Sequence, residues 1–214
     1  MPETLTTLIA KMQAQLLDTG SLFSTPTCTA AFRQALSELN KKAPQQLTVT
    51  VTTISNQHVY EVTDQDITAQ TITDVLLEGS GEYDTPLAYA PFVEDGRLFF
   101  RLSETQAAGK TLDVHYTAPH TISGLDSATD TTLTDELVNA ILNGACAYGC
   151  RIRAAATIES NNVQTNVPEN WLKAASNWDA AFRRALAEAV KEPTPHGEPN
   201  VNAWNDPQHR SDYP

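Results

Sequence analysis

Two cysteines, Cys146 and Cys150, stand four positions apart in a segment with helical spacing, so their thiols share one helix face. A structural zinc site needs four ligands, and neither a histidine nor a further cysteine lies near this pair in the sequence. The third cysteine, Cys28, lies on the apolar side of another predicted helix. We therefore expect three reduced thiols that pack as small core residues and bind no metal.

The segment 108–111, Ala-Gly-Lys-Thr, resembles the end of a phosphate-binding loop. The full motif requires a glycine five positions before Gly109, where this chain has Glu104, and a helix directly afterwards. The residues that follow instead alternate between apolar and polar, which is typical of a strand. We interpret the segment as a turn between two strands.

Carboxylates in the loops are the remaining candidates for catalysis, since a suitably spaced pair can hydrolyse a glycosidic bond. Loops rich in glycine and threonine usually leave such side chains in water, and the five histidines are scattered without a nucleophile motif. We therefore predict no catalytic residue and no cofactor, and we retain a small hydrolase as the alternative from a different class. The carboxylates concerned are Asp64, Asp66, Glu78, Glu82 and Asp84.

The charge of the chain limits its partners. Its 214 residues carry 14 Lys and Arg against 26 Asp and Glu, a formal net charge of −12. Binding to DNA phosphates needs clustered basic residues, and the longest basic groups here are pairs. An acidic wall beside DNA would repel it, which favours passage over binding. We also expect no membrane span and no secretory signal, because no long apolar run is present.

Four amphipathic helices are predicted, two near each end of the chain, from apolar residues that recur at helical spacing. In the second helix we expect Thr25 to be the N-cap and Pro26 the first helical residue. The predicted helices cover 4–17, 26–42, 134–158 and 168–190.

The last two helices carry the residues expected to form a subunit interface. Gly144 and Gly149 contribute to a surface of small residues, which allows another helix to approach closely. Trp171 and Trp178 share one apolar stripe of the final helix. These tryptophans either pack in the core or form a seam between subunits, because together they are large for a helix hairpin to cover.

Between the helix pairs, residues 47–117 change to an alternating pattern with turn signals such as Asp95-Gly96. We expect an antiparallel meander with one buried face and one wet face. The overall prediction is an α+β fold, in which a helical bundle of residues 1–190 carries a β-rich insertion.

The last 24 residues, 191–214, contain five of the 12 prolines and few large apolar side chains. Such a segment cannot bury enough apolar area to offset its ordering entropy, so we expect an extended C-terminal arm. On a partner, Trp204 and Tyr213 are the natural anchors. A protein with this order of parts, and with no catalytic constellation, is typical of a component that joins larger structures.

This arrangement resembles the head-to-tail adaptor, or head-completion, proteins of tailed bacteriophages. The resemblance covers roughly residues 1–190 and rests on element order and on scattered segments. These segments are AFRQALSELN at 31–40, YEV at 60–62, DGRLFF at 95–100, GKTLDVHY at 109–116, LTDEL at 133–137 and the closing helix at 171–188.

The resemblance implies a structural virion protein of the neck, assembled in the host cytoplasm, that forms a ring, commonly of twelve copies, under the portal. Such a ring closes the DNA-filled capsid, connects it to tail or neck proteins, and lets DNA pass through its lumen without sequence-specific binding. A tail-side neck stopper or terminator is the second interpretation. The implied portal-binding residues of the arm are Val201, Asn202, Trp204, Arg210 and Tyr213.

Overall fold

The computed structural model describes residues 3–18, 22–62, 71–78, 84–159 and 167–189. Within these ranges the chain has the predicted α+β fold, with four helices and two antiparallel sheets. The helices are α1 (Leu5–Gln15), α2 (Thr25–Lys42), α3 (Asp135–Glu159) and α4 (Val167–Ala189). The strands are β1 (Gln45–Thr52), β2 (Val59–Glu61), β3 (Thr71–Leu77), β4 (Thr85–Pro86), β5 (Tyr89–Glu94), β6 (Arg97–Leu102) and β7 (Thr111–Ala118).

The start of α2 differs from the prediction by one residue. Ser24, rather than Thr25, is the N-cap, and its hydroxyl oxygen accepts a hydrogen bond from the Thr27 N–H at 3.4 Å. Thr25 and Pro26 are the first two helical residues. Proline is tolerated anywhere in the first turn because those N–H groups have no intrahelical acceptor, so its presence could not fix the boundary.

Helix α3 is the centre of the helical part, and it packs against α1, α2 and α4. Its buried residues are apolar, and many of them are small. Ala140, Ala145 and Ala147 are buried, as are Ile141 and Leu142. Small side chains on a central helix let three neighbours approach its backbone, which explains the run of alanine and glycine in its sequence.

The insertion forms two sheets rather than the expected meander. One sheet has the order β1-β7-β3-β4 and the other has the order β2-β6-β5. The first and last strands, β1 and β7, pair along their whole length, from Gln45 opposite Ala118 to Thr52 opposite Thr111. An alternating sequence pattern states which face of a strand is buried but not which strand lies beside it, so the meander was wrong.

Both sheets contribute to one apolar cluster. Tyr60 of β2 stacks on Phe100 of β6, with ring centroids 5.5 Å apart, and Val114 of β7 is fully buried in the same cluster. The alternation predicted for the last two long strands is confirmed, because Leu98, Phe100 and Leu102 are buried, as are Leu112, Val114 and Tyr116. The insertion therefore has a core of its own.

The segment that leads from β7 back to α3 joins the helices to the sheets. The Asn40 side chain of α2 both accepts from the His120 N–H at 2.8 Å and donates to the His120 carbonyl at 3.1 Å. Thr4, the N-cap of α1, forms an isolated bridge with Ser123. These contacts fix the segment that follows β7 to the last turn of α2 and to the start of α1.

None of the helices in the described ranges has an apolar stretch of the length needed to cross a lipid bilayer. The division into a domain of residues 1–190 and an arm of residues 191–214 stays a prediction, because the arm lies outside the described residues.

Candidate functional site

The three cysteines are buried, reduced and unreactive. Burial raises the pKa of the Cys146 thiol to about 12 and that of Cys150 to about 11, because a thiolate is poorly solvated there. The pKa of Cys28 is raised for the same reason. Within the described residues, no group of three or more His, Cys, Asp or Glu side chains is arranged to hold a metal ion.

The segment 108–111 is a turn, as predicted. Gly109 lies between β6 and β7 with φ of +77°, a conformation that suits glycine, and the strand β7 begins directly after Lys110. A phosphate-binding loop requires a helix N-terminus at this point to direct its N–H groups at the anion. The strand supplies none.

The candidate carboxylates do not form a described site. Glu78 and Asp84 are exposed, while Asp64, Asp66 and Glu82 lie outside the described residues. The described histidines have structural partners, for example the Thr48 hydroxyl 2.8 Å from the His115 Nδ1. His120 is buried, which lowers the pKa of its imidazole despite opposing hydrogen bonds with the carbonyls of Thr132 and Ala43.

A groove between α2 and the segment 117–119 carries a charged pair that sequence reasoning missed. The Arg33 guanidinium of α2 donates two hydrogen bonds to the Asp126 Oδ1, at 2.6 and 3.0 Å. The hydrogen bond from Arg33 lowers the pKa of Asp126. Both groups are largely exposed, so the pair contributes little to stability. The charges of Arg33 and Asp126 also neutralise each other.

The two tryptophans of α4 are half-buried, between the core and the surface. Trp171 meets Phe23 edge-on, with centroids 5.7 Å apart and an interplanar angle of 83°. Phe23 is itself held by its backbone, since its N–H donates to Asp18 at 2.8 Å and its carbonyl accepts from Gln13 at 2.9 Å. Trp178 packs against the same helical core. Each indole therefore anchors one side of α4 and leaves part of its ring uncovered.

Gly144 and Gly149 lie inside the subunit, which corrects the expectation that they line a surface between subunits. A Cβ on Gly144 would lie 3.0 Å from the Cβ of Ala35 in α2 and 3.2 Å from the Phe182 ring in α4. A Cβ on Gly149 would lie 2.4 Å from the Cε of Met12 in α1. Close helix approach was predicted correctly, but the approaching helices belong to the same chain.

A polar network crosses the helices beside Trp178. Asp179 accepts from Arg151 at 3.0 Å and from Arg183 at 2.8 Å, and the Tyr148 hydroxyl donates to Glu38 at 2.5 Å. Burial and the Glu38 carboxylate raise the pKa of Tyr148 to about 12. Burial raises the pKa of Asp179, but the hydrogen bonds and charges of Arg183 and Arg151 lower it by more. Only the spacing of Asp179 and Arg183 was visible in the sequence.

Exposed apolar side chains lie where α3 ends and α4 begins. Ile158 is 62% exposed, Leu172 is 49% exposed and Ile152 is 38% exposed. Leu172 follows the half-buried Trp171 in the sequence, so apolar side chains are partly exposed both near the end of α3 and near the start of α4. Apolar surface of this kind marks a site of contact with another protein more often than a site of catalysis.

The predicted arm residues, from Val201 to Tyr213, lie outside the described residues, and their role stays a prediction. What the described structure offers is partly exposed apolar surface on an α+β scaffold. Comparison with known proteins gives this scaffold a class. The model of the family described as "SU10 adaptor protein" matches residues 3–208, which is nearly the whole chain.

The chain therefore belongs to the SU10 adaptor protein family. This confirms the adaptor class expected from the sequence. A comparison with curated proteins gives no match.

Solved structures with a similar chain come from gene transfer agent (GTA) particles. A chain in the neck of the empty particle is 12% identical, with a TM-score of 0.30, and the match covers 79% of this chain and 87% of that one. A chain in the neck of the native particle is 14% identical, with a TM-score of 0.30 and coverage of 80% and 93%. A chain of the native virion is 11% identical, with a TM-score of 0.28 and coverage of 69% and 77%.

Proposed function

We propose that this protein forms a ring beneath the portal vertex, closes the DNA-filled capsid there and connects it to the tail. The observation that carries the proposal is the match of an adaptor family over residues 3–208. In this role the protein acts through contacts and catalyses no reaction. Buried, unreactive thiols and a turn in place of a phosphate loop support that view.

The contact between neighbouring copies in the ring uses the outer side of α4. Trp171 and Trp178 are only half-covered within the subunit, and Leu172, which follows Trp171 in the sequence, is 49% exposed. A ring requires two different complementary faces on each copy, because every copy meets its neighbours head to tail. Large half-buried aromatic side chains suit one of these faces, since such residues dominate protein contacts.

The arm, residues 191–214, binds the portal. Val201, Trp204 and Tyr213 are its sizeable apolar side chains, and Asn202 and Arg210 supply polar support. A segment that orders only on its partner can cover a large surface without a preformed pocket. The remaining faces of the ring contact tail or neck proteins.

DNA passes through the lumen of the ring without sequence-specific binding. A formal net charge of −12 opposes adhesion of the phosphate backbone, and three arginines of the described helices, Arg33, Arg151 and Arg183, are paired with carboxylates. A channel that repels DNA lets the genome slide during ejection.

Binding to the purified portal ring of the same virus tests the proposal. Full-length protein, a chain ending at residue 190 and the double variant Trp204→Ala/Tyr213→Ala are compared by mass measurement and negative-stain imaging. We expect a ring of defined stoichiometry with the full-length chain and weakened docking with the other two. As a matched control, Val190→Ala changes the chain next to the arm without removing an anchor, and it should dock normally.

The outcomes separate the parts of the proposal. Docking of the truncated chain at undiminished affinity would show that the arm does not bind the portal. If neither the full-length chain nor the truncated chain binds the portal but both bind the tail complex, the adaptor acts on the tail side of the neck, as a stopper or terminator does.

A further inference from the structure

The four edge strands of the two sheets are protected to different degrees. Exposed edges offer free N–H and C=O groups to other chains, and proteins usually blunt them by short length, proline or charge. β4 has two residues and ends at Pro86, β2 has three residues and ends at Glu61, and β5 contains Pro91. Three of the four edges are thus blunted.

The fourth edge, β1, has none of these protections. It runs for eight residues, Gln45–Thr52, with no proline and no charged side chain. Its register with β7 is unbroken over those eight residues, so no bulge bends it away. Among the described elements, only β7 makes extensive contact with β1. A long, regular and uncharged edge is the form of strand that pairs with another chain.

The pattern of the ladder identifies the free groups of β1. The Thr53 N–H donates to the Lys110 carbonyl at 2.8 Å, which continues the register one step past the strand. In an antiparallel ladder alternate residues bond inward, so the odd-numbered residues of β1 bond to β7. The even-numbered residues therefore direct their N–H and C=O groups away from the sheet. They are Gln46, Thr48, Thr50 and Thr52.

The apolar row of β1 is also incompletely covered. Val49 lies opposite Val114 of β7 and Val51 lies opposite Leu112, and the β7 residues are fully buried while those of β1 are half-buried. The apolar core of the insertion therefore extends to this edge and stops there. One more strand would cover the row with apolar side chains.

The strand is complementary to itself. In an antiparallel pair of two β1 strands centred on Val49, the outward groups of one copy meet those of the other. Val49 then faces Val49 of the second copy, and Thr48 faces Thr50 of the second copy. The apolar rows of the two copies align and so do the threonine rows. Such cross-strand pairs are favourable, and no like charges oppose each other.

We infer that the free protein forms a two-fold dimer in which β1 pairs antiparallel with β1 of a second copy. The pairing joins two four-stranded sheets into one continuous sheet. All copies of a ring face the same way, so a two-fold pair cannot be the ring contact. On the proposed ring function, the dimer is the storage form of the protein, and it has to separate before the ring assembles.

Sedimentation equilibrium of the full-length protein over a concentration series tests the inference. We expect the mass to rise from 23.3 kDa toward twice that value. Thr50→Pro removes an outward N–H at an edge position that tolerates proline, and it should leave the protein monomeric. The matched control Thr50→Val keeps the N–H and the β-branched shape, and it should dimerise as the unchanged protein does.

A charge exchange identifies the partner as a second copy. The variant Thr48→Lys/Thr50→Lys and the variant Thr48→Glu/Thr50→Glu should each be monomeric, because like charges then oppose each other across the pair. An equal mixture of the two should form a mixed dimer. These variants keep every N–H, so they decide the question even if Thr50→Pro does not fold.

A full-length protein that stays monomeric throughout the series overturns the inference. So does any oligomer that Thr50→Pro and Thr50→Val preserve equally, or that the charged variants leave unchanged. The experiment contains no portal, so its failure leaves the adaptor proposal intact, and a failed portal experiment leaves the dimer intact.

Discussion

At the scale of single residues, function and stability depend on how closely the neighbouring helices pack against α3. Gly144 and Gly149 show that a glycine in a helix can serve close packing rather than flexibility, because α2, α4 and α1 occupy the space a side chain would need. The cost in helix propensity is about 1 kcal/mol relative to alanine. Closer packing with the neighbouring helices offsets that cost.

The variant Gly144→Val should lower the free energy of unfolding by about 2 kcal/mol, since its side chain would overlap Ala35 and Phe182. Urea denaturation measures this loss. The control Ala156→Val adds the same side chain to an exposed position of α3 and should cost only the small difference in propensity. Equal losses in the two variants would show that packing at Gly144 is not tight.

The buried His120 should make stability depend on pH. Because burial lowers the pKa of its imidazole below the usual 6.5, the unfolded chain binds more protons as the pH falls through that value. Stability should therefore be full above the unfolded pKa and decline as the pH drops toward 5. Thermal melts of His120→Gln should lose this decline, whereas melts of the exposed His58→Gln should keep it. An unchanged pH profile in His120→Gln would assign the decline to other groups.

At the scale of elements, the start of α2 offers two candidate N-cap residues, Ser24 and Thr25, which mutation can distinguish. Ser24→Ala should cost about 1 kcal/mol of stability, because the N-cap hydroxyl satisfies a backbone N–H that has no other acceptor. Thr25→Ala should cost close to nothing, since Thr25 is already inside the helix. Chemical denaturation of both variants checks this, and the reverse order of losses would place the cap at Thr25.

The elements themselves were largely predictable, and their neighbours were not. Apolar spacing located all four helices within about two residues, and strand alternation located the buried faces, because periodicity is a local property. The pairing of β1 with β7 joins residues far apart in the chain, and alternation carries no information about partners. For the same reason the small residues on one side of α3 were predicted, whereas the helices of the same chain that pack against them were not.

The candidate site was less predictable than the fold. The stripe that carries Trp171 and Trp178 was visible in the sequence, but their half-burial depends on Phe23 and on the loop that holds it. The free edge of β1 became recognisable only when the sheet order and the blunted edges were known. A strand has a free edge when no other strand lies beside it, and the sequence of the strand itself carries no signal of that.

At the scale of the whole molecule, the arm and the domain should behave independently. Removing residues 191–214 should leave the melting temperature within about 2 °C of the full-length value, because a segment of this composition contributes little buried apolar area. Calorimetry of the two chains checks this. A clearly lower melting temperature for the truncated chain would mean that the arm packs on its own domain.

The pairing of Gln45 with Ala118 has a further consequence for how such proteins change over time. The chain leaves the helices at one point and returns to them at the adjacent point, so everything between is topologically a side branch. A side branch can be lengthened, shortened or exchanged while the helical bundle keeps its geometry. In this chain, new surfaces can therefore be acquired through the β-rich branch while the helical scaffold stays the same.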